Sequence, residues 1–414
     1  MTSNASRAEA RRVLLWLYLP TLALSVAQGM IFPAIPRLGE AFGVSAGTAG
    51  QVVTAFGAGR MVILVPAGVL VDALGSRAVL LLGSTLALAG AAAVAASPVF
   101  WGVLVGQVLA GAGASLWTLG REAAGLEIVS PDRRGRLLSA FFGLQMAGNA
   151  LGPVAAGLLV DRAGLGPTLW GSAGLAAAVW GLSAVAREEL AAGLLRRDAG
   201  DFREAVRALP ESYRAAFRIV TFSTFVLTLY RASLNTLLPL YVGTQLGYPG
   251  TVVGGLFGIT SVVILAFILP AGVLLDRLGR KWGAVPACLV PAVAYVLMPF
   301  ARTLSSLAIL AALFGVAGGL SLGSMSALSY DVIPEHARGR LQALRRMVGE
   351  VGGMVGPFVA GLASDLLSPS AGFLLLSPLL LSAGFLLAFG VPETLPTAKA
   401  QAARRTEQPA GRRP

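Results

Sequence analysis

A phrase of twelve residues occurs twice in this chain, and its spacing restricts the fold more than any other feature. Pro66-Ala67-Gly68-Val69-Leu70-Val71-Asp72-Ala73-Leu74-Gly75-Ser76-Arg77 returns as Pro270-Ala271-Gly272-Val273-Leu274-Leu275-Asp276-Arg277-Leu278-Gly279-Arg280-Lys281, with eight positions identical. The shift of 204 is about half of the 414 residues, so the chain reads as two copies of one unit in the same order. Any fold assigned to one half must serve the other.

The solvent of that unit follows from composition. With 56% hydrophobic and 13% charged residues and a mean hydropathy of +0.75, too little polar surface remains to solvate a globule of this length. Apolar runs long enough to cross roughly 30 Å of hydrocarbon centre on residues 13–34, 48–71, 78–96, 99–127, 137–160 and 167–186. In the second half they centre on 217–242, 250–275, 282–301, 304–331, 341–364 and 370–391. The expectation is an all-α membrane protein: twelve transmembrane helices in two six-helix halves, 1–186 and 217–391, related by a parallel repeat. The polar interval 187–216 is the linker. Within it Asp201-Phe202-Arg203-Glu204 has capping-box character, and Phe202, Ala205, Val206 and Leu209 follow helical spacing, which predicts a short amphipathic helix at the membrane surface. Residues 392–414 are rich in Pro, Ala and Arg without apolar period, and are expected to be a disordered tail.

An even number of spans puts both termini on one side. With that side cytoplasmic, 26 of the 32 basic residues fall in inner termini, loops and helix ends, and only Arg37, Arg162 and Arg302 on the other side. This asymmetry sets the orientation in a plasma or bacterial inner membrane. The net charge of +12 is thereby explained by topology. Scattered over many loops, it does not form the single basic face that nucleic acid would need. Cys288 is the one cysteine and His336 the one histidine, which excludes an internal disulfide and argues against a metal site. The first run continues past the length of a signal-peptide core, so it is expected to be retained as the first helix.

Gly68-x-Leu70-x-Asp72-x-x-Gly75-x-Arg77 resembles the signature between the second and third helices of the major facilitator superfamily. Gly272 to Lys281, with Asp276 and Gly279, resembles its second copy between helices eight and nine. The resemblance implies an inner gate of these residues, in which acids at the inner ends of helices four and ten join the latch charges: Glu127 near Arg77, and Asp331 near Arg280 or Lys281. Glu127 and Asp331 are themselves 204 residues apart, as are Arg136 and Arg340. A second duplicated phrase, Gly148-Asn149-Ala150-Leu151-Gly152-Pro153 to Gly157, with Gly352, Gly356, Pro357 and Gly361 in the other half, resembles the helix-five signature of the proton-coupled drug antiporters of that superfamily. Small residues at four-residue spacing let helices touch along their backbones, and the prolines favour kinks. Ala156 and Ala360 stand where that signature has glycine, and Gln107 where the helix-four signature has arginine. The first helix holds no acid in its apolar run, only Gln28.

Charges that are not duplicated carry the asymmetry a substrate site requires. Arg121 and Glu122 lie some six residues before the inner end of the fourth run, or roughly 9 Å into the membrane. Arg231 lies about thirteen residues into the seventh run, and Glu350 about ten residues after Arg340. Arg60, twelve residues before Asp72, is also near mid-depth. A charge at such depth costs a few kcal/mol or more unless it faces a partner or a wet cavity. Burial disfavours the charged form of a carboxyl, so its proton can follow access to one side; Glu122 and Glu350 are therefore the proton-coupling candidates, with Arg121 and Arg231 as counter-charges or substrate contacts. A structural role is the competing reading, with Glu350 paired to Arg346 at i, i+4 and Arg60 to another span. Gln28, Gln145, Asn149 and Asn235, with the aromatics Trp16, Tyr18, Phe32, Trp117, Tyr230 and Tyr241, are candidates to line a cavity for amphipathic ligands.

Catalytic constellations, phosphate loops and cofactor motifs are absent from the sequence, so neither an enzyme nor a cofactor is expected. Two dissimilar halves already complete the unit, so a monomer is expected. With the resemblance, these features imply secondary active transport by alternating access, as proton-coupled efflux of lipophilic or amphipathic small molecules. The alternative is proton-coupled uptake or export of a specific small solute such as a sugar, amino acid or organic anion.

Overall fold

A computed structural model describes residues 14–129, 134–185, 211–333 and 338–393, all helical or in short connections, with no strand among them. The linker helix, His336 and the tail beyond 393 lie outside the described residues. Among the described residues twelve helices follow one another. α1 is Leu14–Phe42; it opens with a π turn over Leu14–Tyr18 and is interrupted at Met30, where Pro33 and Pro36 limit backbone hydrogen bonding. The continuous Ala46–Ala96 element breaks at Gly75, whose φ of 81° and ψ of 161° separate α2 (46–74) from α3 (76–96). α4 is Phe100–Ile128, α5 Arg134–Ala163 and α6 Leu165–Val185. In the second half α7 runs through Glu211–Pro239 and the π turn Leu240–Gln245, followed by α8 Gly250–Leu278, α9 Lys281–Leu297, α10 Leu304–Val332, α11 Arg338–Leu366 and α12 Pro369–Gly390.

The repeated phrase performs the same turn in both halves. Gly279, between α8 and α9, has φ 118° and is the counterpart of Gly75; such values are open to glycine and strained for residues with a β-carbon. Elsewhere polar caps begin helices: the Ser45 hydroxyl accepts the Thr48 N–H at α2, Thr303 and Ser306 form a capping box at α10, and Ser368 accepts from Ala371 at α12.

Among the described residues, ten segments are long and apolar enough to cross a membrane by length and composition. α7 and the first part of α2 are more polar, with Arg231 and Asn235 on one and Gln51 and Arg60 on the other. These two helices help to line the central cavity, where a purely apolar face has no use.

Each half packs its own core. In the second half Tyr295 is fully buried, donates to the Tyr230 carbonyl at 2.8 Å and meets Phe314 and Phe373 edge-on at 5.7 and 5.0 Å. In the first half Trp117 is buried and donates to the Ser183 hydroxyl at 3.2 Å.

The halves meet along α2 against α11 and α5 against α8, and the approach is graded. We call the side where α1 begins and α12 ends the terminal face, and the opposite side the distal face. A β-carbon built at Gly47, near the distal face, would lie 1.9 Å from the Gly361 carbonyl oxygen; at Gly57 the closest approach, to Gly353, is 3.3 Å; at Gly68 nothing lies within 4 Å. α8 repeats the trend, from 2.3 Å at Gly254 and 2.9 Å at Gly258 to open space at Gly272. The helix pairs are thus in backbone contact toward the distal face and splay toward the terminal face.

Candidate functional site

The duplicated small residues of α5 and α11 set the geometry of the centre. Gly148 and Gly152 lie against Ser25 and Val26 of α1, and Gly157 against Gly250 of α8; Gly352 and Gly356 lie against Phe225 and Leu229 of α7, and Gly361 against Gly47 of α2. Through these glycines each of the two helices touches one helix of its own half and one of the other. Pro153 and Pro357 fall inside the two helices, with Pro153 packed on Gly29.

Between these contacts lies a cavity of about 440 Å³, within the range of small-molecule sites. From the first half it is lined by Gln28 and Phe32 of α1, Phe56 and Arg60 of α2, Gln107 of α4, and Gln145 and Asn149 of α5. The second half contributes Thr228, Tyr230, Arg231 and Asn235 of α7, Phe257 and Ser261 of α8, Phe314 of α10 and Glu350 of α11. All four uncharged polar candidates, Gln28, Gln145, Asn149 and Asn235, thus come together here, with Phe32 and Tyr230 of the aromatic ones. Trp117 and Tyr241 instead belong to the cores, Tyr241 donating to the Ala301 carbonyl at 3.1 Å.

Glu350 is the one carboxylate among the described lining residues, and it is joined to Arg60 of the other half at 2.9 Å, with the side chains 22% and 41% exposed respectively. The expected alternative partner, Arg346, is not the one it takes. Arg231 donates to the Ser321 hydroxyl of α10 and has no carboxylate within ion-pair distance among the described residues. Arg121 and Glu122 do not line the cavity. The Arg121 side chain is 4% exposed and 3.6 Å from the Glu122 carboxylate; its guanidinium stands 4.4 Å from the Phe141 ring centroid and 5.5 Å from that of Trp117, and donates to Thr21 at 3.3 Å. That setting is a buried cation between aromatic faces in the core of the first half.

On the terminal face the motif residues form brackets within each half. Ser76 donates to Glu127 at 3.0 Å, putting that acid beside the residue preceding Arg77. Arg280 meets Asp331 at 3.4 Å. The Lys281 ammonium donates to the Ala388 carbonyl at 2.5 Å, and the backbone N–H groups of Arg280 and Lys281 donate to Glu393 at 2.8 and 3.1 Å. Asp72 takes no hydrogen bond or ion pair among the described residues, and the Asp276 side chain lies outside the description.

The distal face carries a device that the sequence reading passed over. Asp161, at the end of α5, accepts the N–H groups of Gly250 and Thr251 at 2.9 and 2.6 Å. Asp365, at the end of α11, accepts the Ser45 hydroxyl at 2.6 Å, the Gly47 N–H at 2.7 Å and the Thr48 hydroxyl at 3.3 Å. Each carboxylate caps the first turn of a helix in the opposite half, where anions are favoured. The signal was available, since 161 and 365 differ by the same 204.

The geometry is matched by similarity to known proteins. The multidrug resistance protein MdtG of Citrobacter koseri is 26% identical over 224 residues, 53% of this chain and 54% of that protein, so the alignment spans about half the length of that relative. A POT family transporter solved in complex with 5-aminolevulinic acid superposes with a TM-score of 0.75 at 12% identity, covering 91% of this chain and 95% of that one. A D-xylose-proton symporter gives 0.72 at 15%, covering 93% and 98%. The family model of the Major Facilitator Superfamily matches residues 17–213 and 220–413, and the chain belongs to that family.

Proposed function

We propose that this protein is a proton-coupled secondary transporter of amphipathic small molecules, working by alternating access around the central cavity with Glu350 carrying the proton. The observation that carries the reading is the Arg60–Glu350 pair at 2.9 Å, which bridges the two halves at the cavity wall. A proton on Glu350 removes one charge of that bridge, so the link between α2 and α11 depends on protonation, and the splay of these helices with it. The mixed lining, aromatic rings beside amides, suits a cargo with an apolar body and a polar group.

The positive-inside asymmetry supports a cytoplasmic terminal face, with which the splayed helices make this an inward-facing arrangement in the cell membrane. A cavity completed by one chain supports a monomer. Two directions of transport have support. Similarity to a multidrug resistance protein favours export in exchange for protons; the five amides at the cavity favour co-transport of a more specific solute, since buried polar groups reject cargo that leaves them unpaired.

The test is proton flux in everted vesicles challenged with a panel of lipophilic cations, neutral compounds and organic anions, comparing wild type with Glu350→Gln and Glu122→Gln. Coupled flux is expected to be lost in Glu350→Gln and kept in Glu122→Gln. Substrate-evoked flux that survives Glu350→Gln removes Glu350 from the mechanism.

A further inference from the structure

The charges of the cavity do not balance. Two guanidiniums, Arg60 and Arg231, and one carboxylate, Glu350, are found among its described lining residues. Glu350 is already engaged by Arg60 at 2.9 Å. Arg231, near the middle of α7, is left with a hydroxyl partner, Ser321. A guanidinium keeps its charge in proteins, and a charge at mid-membrane depth is costly without a counter-charge or water. Its five donors in a fixed fork match a carboxylate, sulfonate or phosphate better than any neutral group. Phe257 of α8 and Phe314 of α10, from the same half as Arg231, are among the lining residues.

We infer that Arg231 is the docking point for an anionic group of the cargo, and that the substrates are amphipathic organic anions whose apolar body lies against the cavity aromatics. The inference rests on the reading of this cavity as the transport site, and it separates the two directions. A proton on Glu350 leaves the cavity with two guanidiniums and no carboxylate, so proton and anion each raise the affinity for the other. Binding partners coupled with that sign travel together, which selects co-transport over exchange for this class of cargo. The other titratable groups around Arg231 are the Tyr230 hydroxyl and the Cys288 thiol; both are uncharged when protonated and offset neither guanidinium.

The test uses the purified full chain and three probes that share one body: 4-phenylbutyrate, 4-phenylbutanol and 4-phenylbutylammonium. Binding is measured in detergent between pH 5.5 and 8, and proton-driven movement is measured separately in proteoliposomes. The wild type is expected to bind the carboxylate at least tenfold more tightly than the ammonium. Arg231→Gln should remove that preference, Arg231→Lys should keep part of it, and Glu350→Gln, which leaves the cavity without its carboxylate, should bind the carboxylate probe more tightly than the wild type. Equal or better binding of the ammonium, or carboxylate binding unchanged in a folded Arg231→Gln, overturns the inference. If the alcohol or ammonium is moved by a proton gradient while the carboxylate has no advantage, the transport reading survives and the inference fails. If the carboxylate binds through Arg231 but none of the probes is driven by protons, Arg231 stands as the anion's docking point, while co-transport and the coupling reading fail.

Discussion

Replacing Asp161 and Asp365 together by asparagine should open the distal face. Asp365 takes two hydroxyls and one N–H from the start of α2, and Asp161 two N–H groups from the start of α8, at 2.6 to 3.3 Å. Hydrogen bonds to a charged acceptor contribute about 1.5–3 kcal/mol each when shielded from water, but these are exposed, and asparagine keeps one acceptor oxygen. What is lost is the charge at the helix start, about 0.3–1 kcal/mol at an exposed site, together with part of the hydrogen bonding. We take about 1 kcal/mol per site after screening. The two sites share no partner, so the effects should add, and a total of about 2 kcal/mol shifts the ratio of distal-closed to distal-open molecules about thirtyfold. The measurement is the distance between spin labels on cysteines introduced at Trp101 and Ser305, exposed pseudo-equivalent positions at the distal ends of α4 and α10. The one native cysteine, Cys288, is buried and should stay unlabelled. The double variant should gain a population at longer distance, and each single variant a smaller one. An unchanged distance distribution in the double variant would refute the argument that these carboxylates hold the halves together.

Two further substitutions test the supporting structure. Gly279→Ala places a β-carbon 2.5 Å from the Glu393 carboxylate at a φ of 118°, so it should cost about 1–3 kcal/mol and lower the melting temperature in detergent by displacing Glu393 from the start of α9. Arg121→Met removes a buried cation from between two aromatic rings and leaves Thr21 and Glu122 without it; a loss of about 2 kcal/mol should appear as a lower melting temperature, while the pH dependence of transport per folded molecule stays that of the wild type.

The architecture was legible because a bilayer enforces it. A chain that must satisfy its backbone internally while crossing hydrocarbon has helices as its only choice here, and runs such as 99–127 and 304–331 fall within a residue of Phe100–Ile128 and Leu304–Val332. The turn glycines Gly75 and Gly279 were legible for the same reason: they sit where a repeat must reverse. The cavity residues were legible only in part. Gln28, Gln145, Asn149 and Asn235 stand out as amides in apolar surroundings, whereas Phe257 and Phe314 are indistinguishable in sequence from the aromatics that fill the cores, because which face of a membrane helix meets the cavity depends on packing against the other half. Charge depth misled at Arg121: a buried cation needs a partner, and two aromatic rings with a neighbouring acid supply one as well as a wet cavity does.

Subtracting one half from the other finds the residues that break the repeat, and so finds Arg231 and Glu350, but the same subtraction cancels whatever is duplicated. Asp161 and Asp365 vanish in it, although neither acts within its own half: each caps a helix of the other half. A repeat protein that alternates between two states needs both kinds of residue. Symmetric contacts such as Asp161 with α8 and Asp365 with α2 can close one face evenly, since the two rotate apart by the same operation. An asymmetric contact such as Arg60–Glu350 has no copy to balance it, so under the proposed mechanism a single protonation biases the whole assembly. On that proposal the duplicated pairs define the states, and the unduplicated pair decides between them.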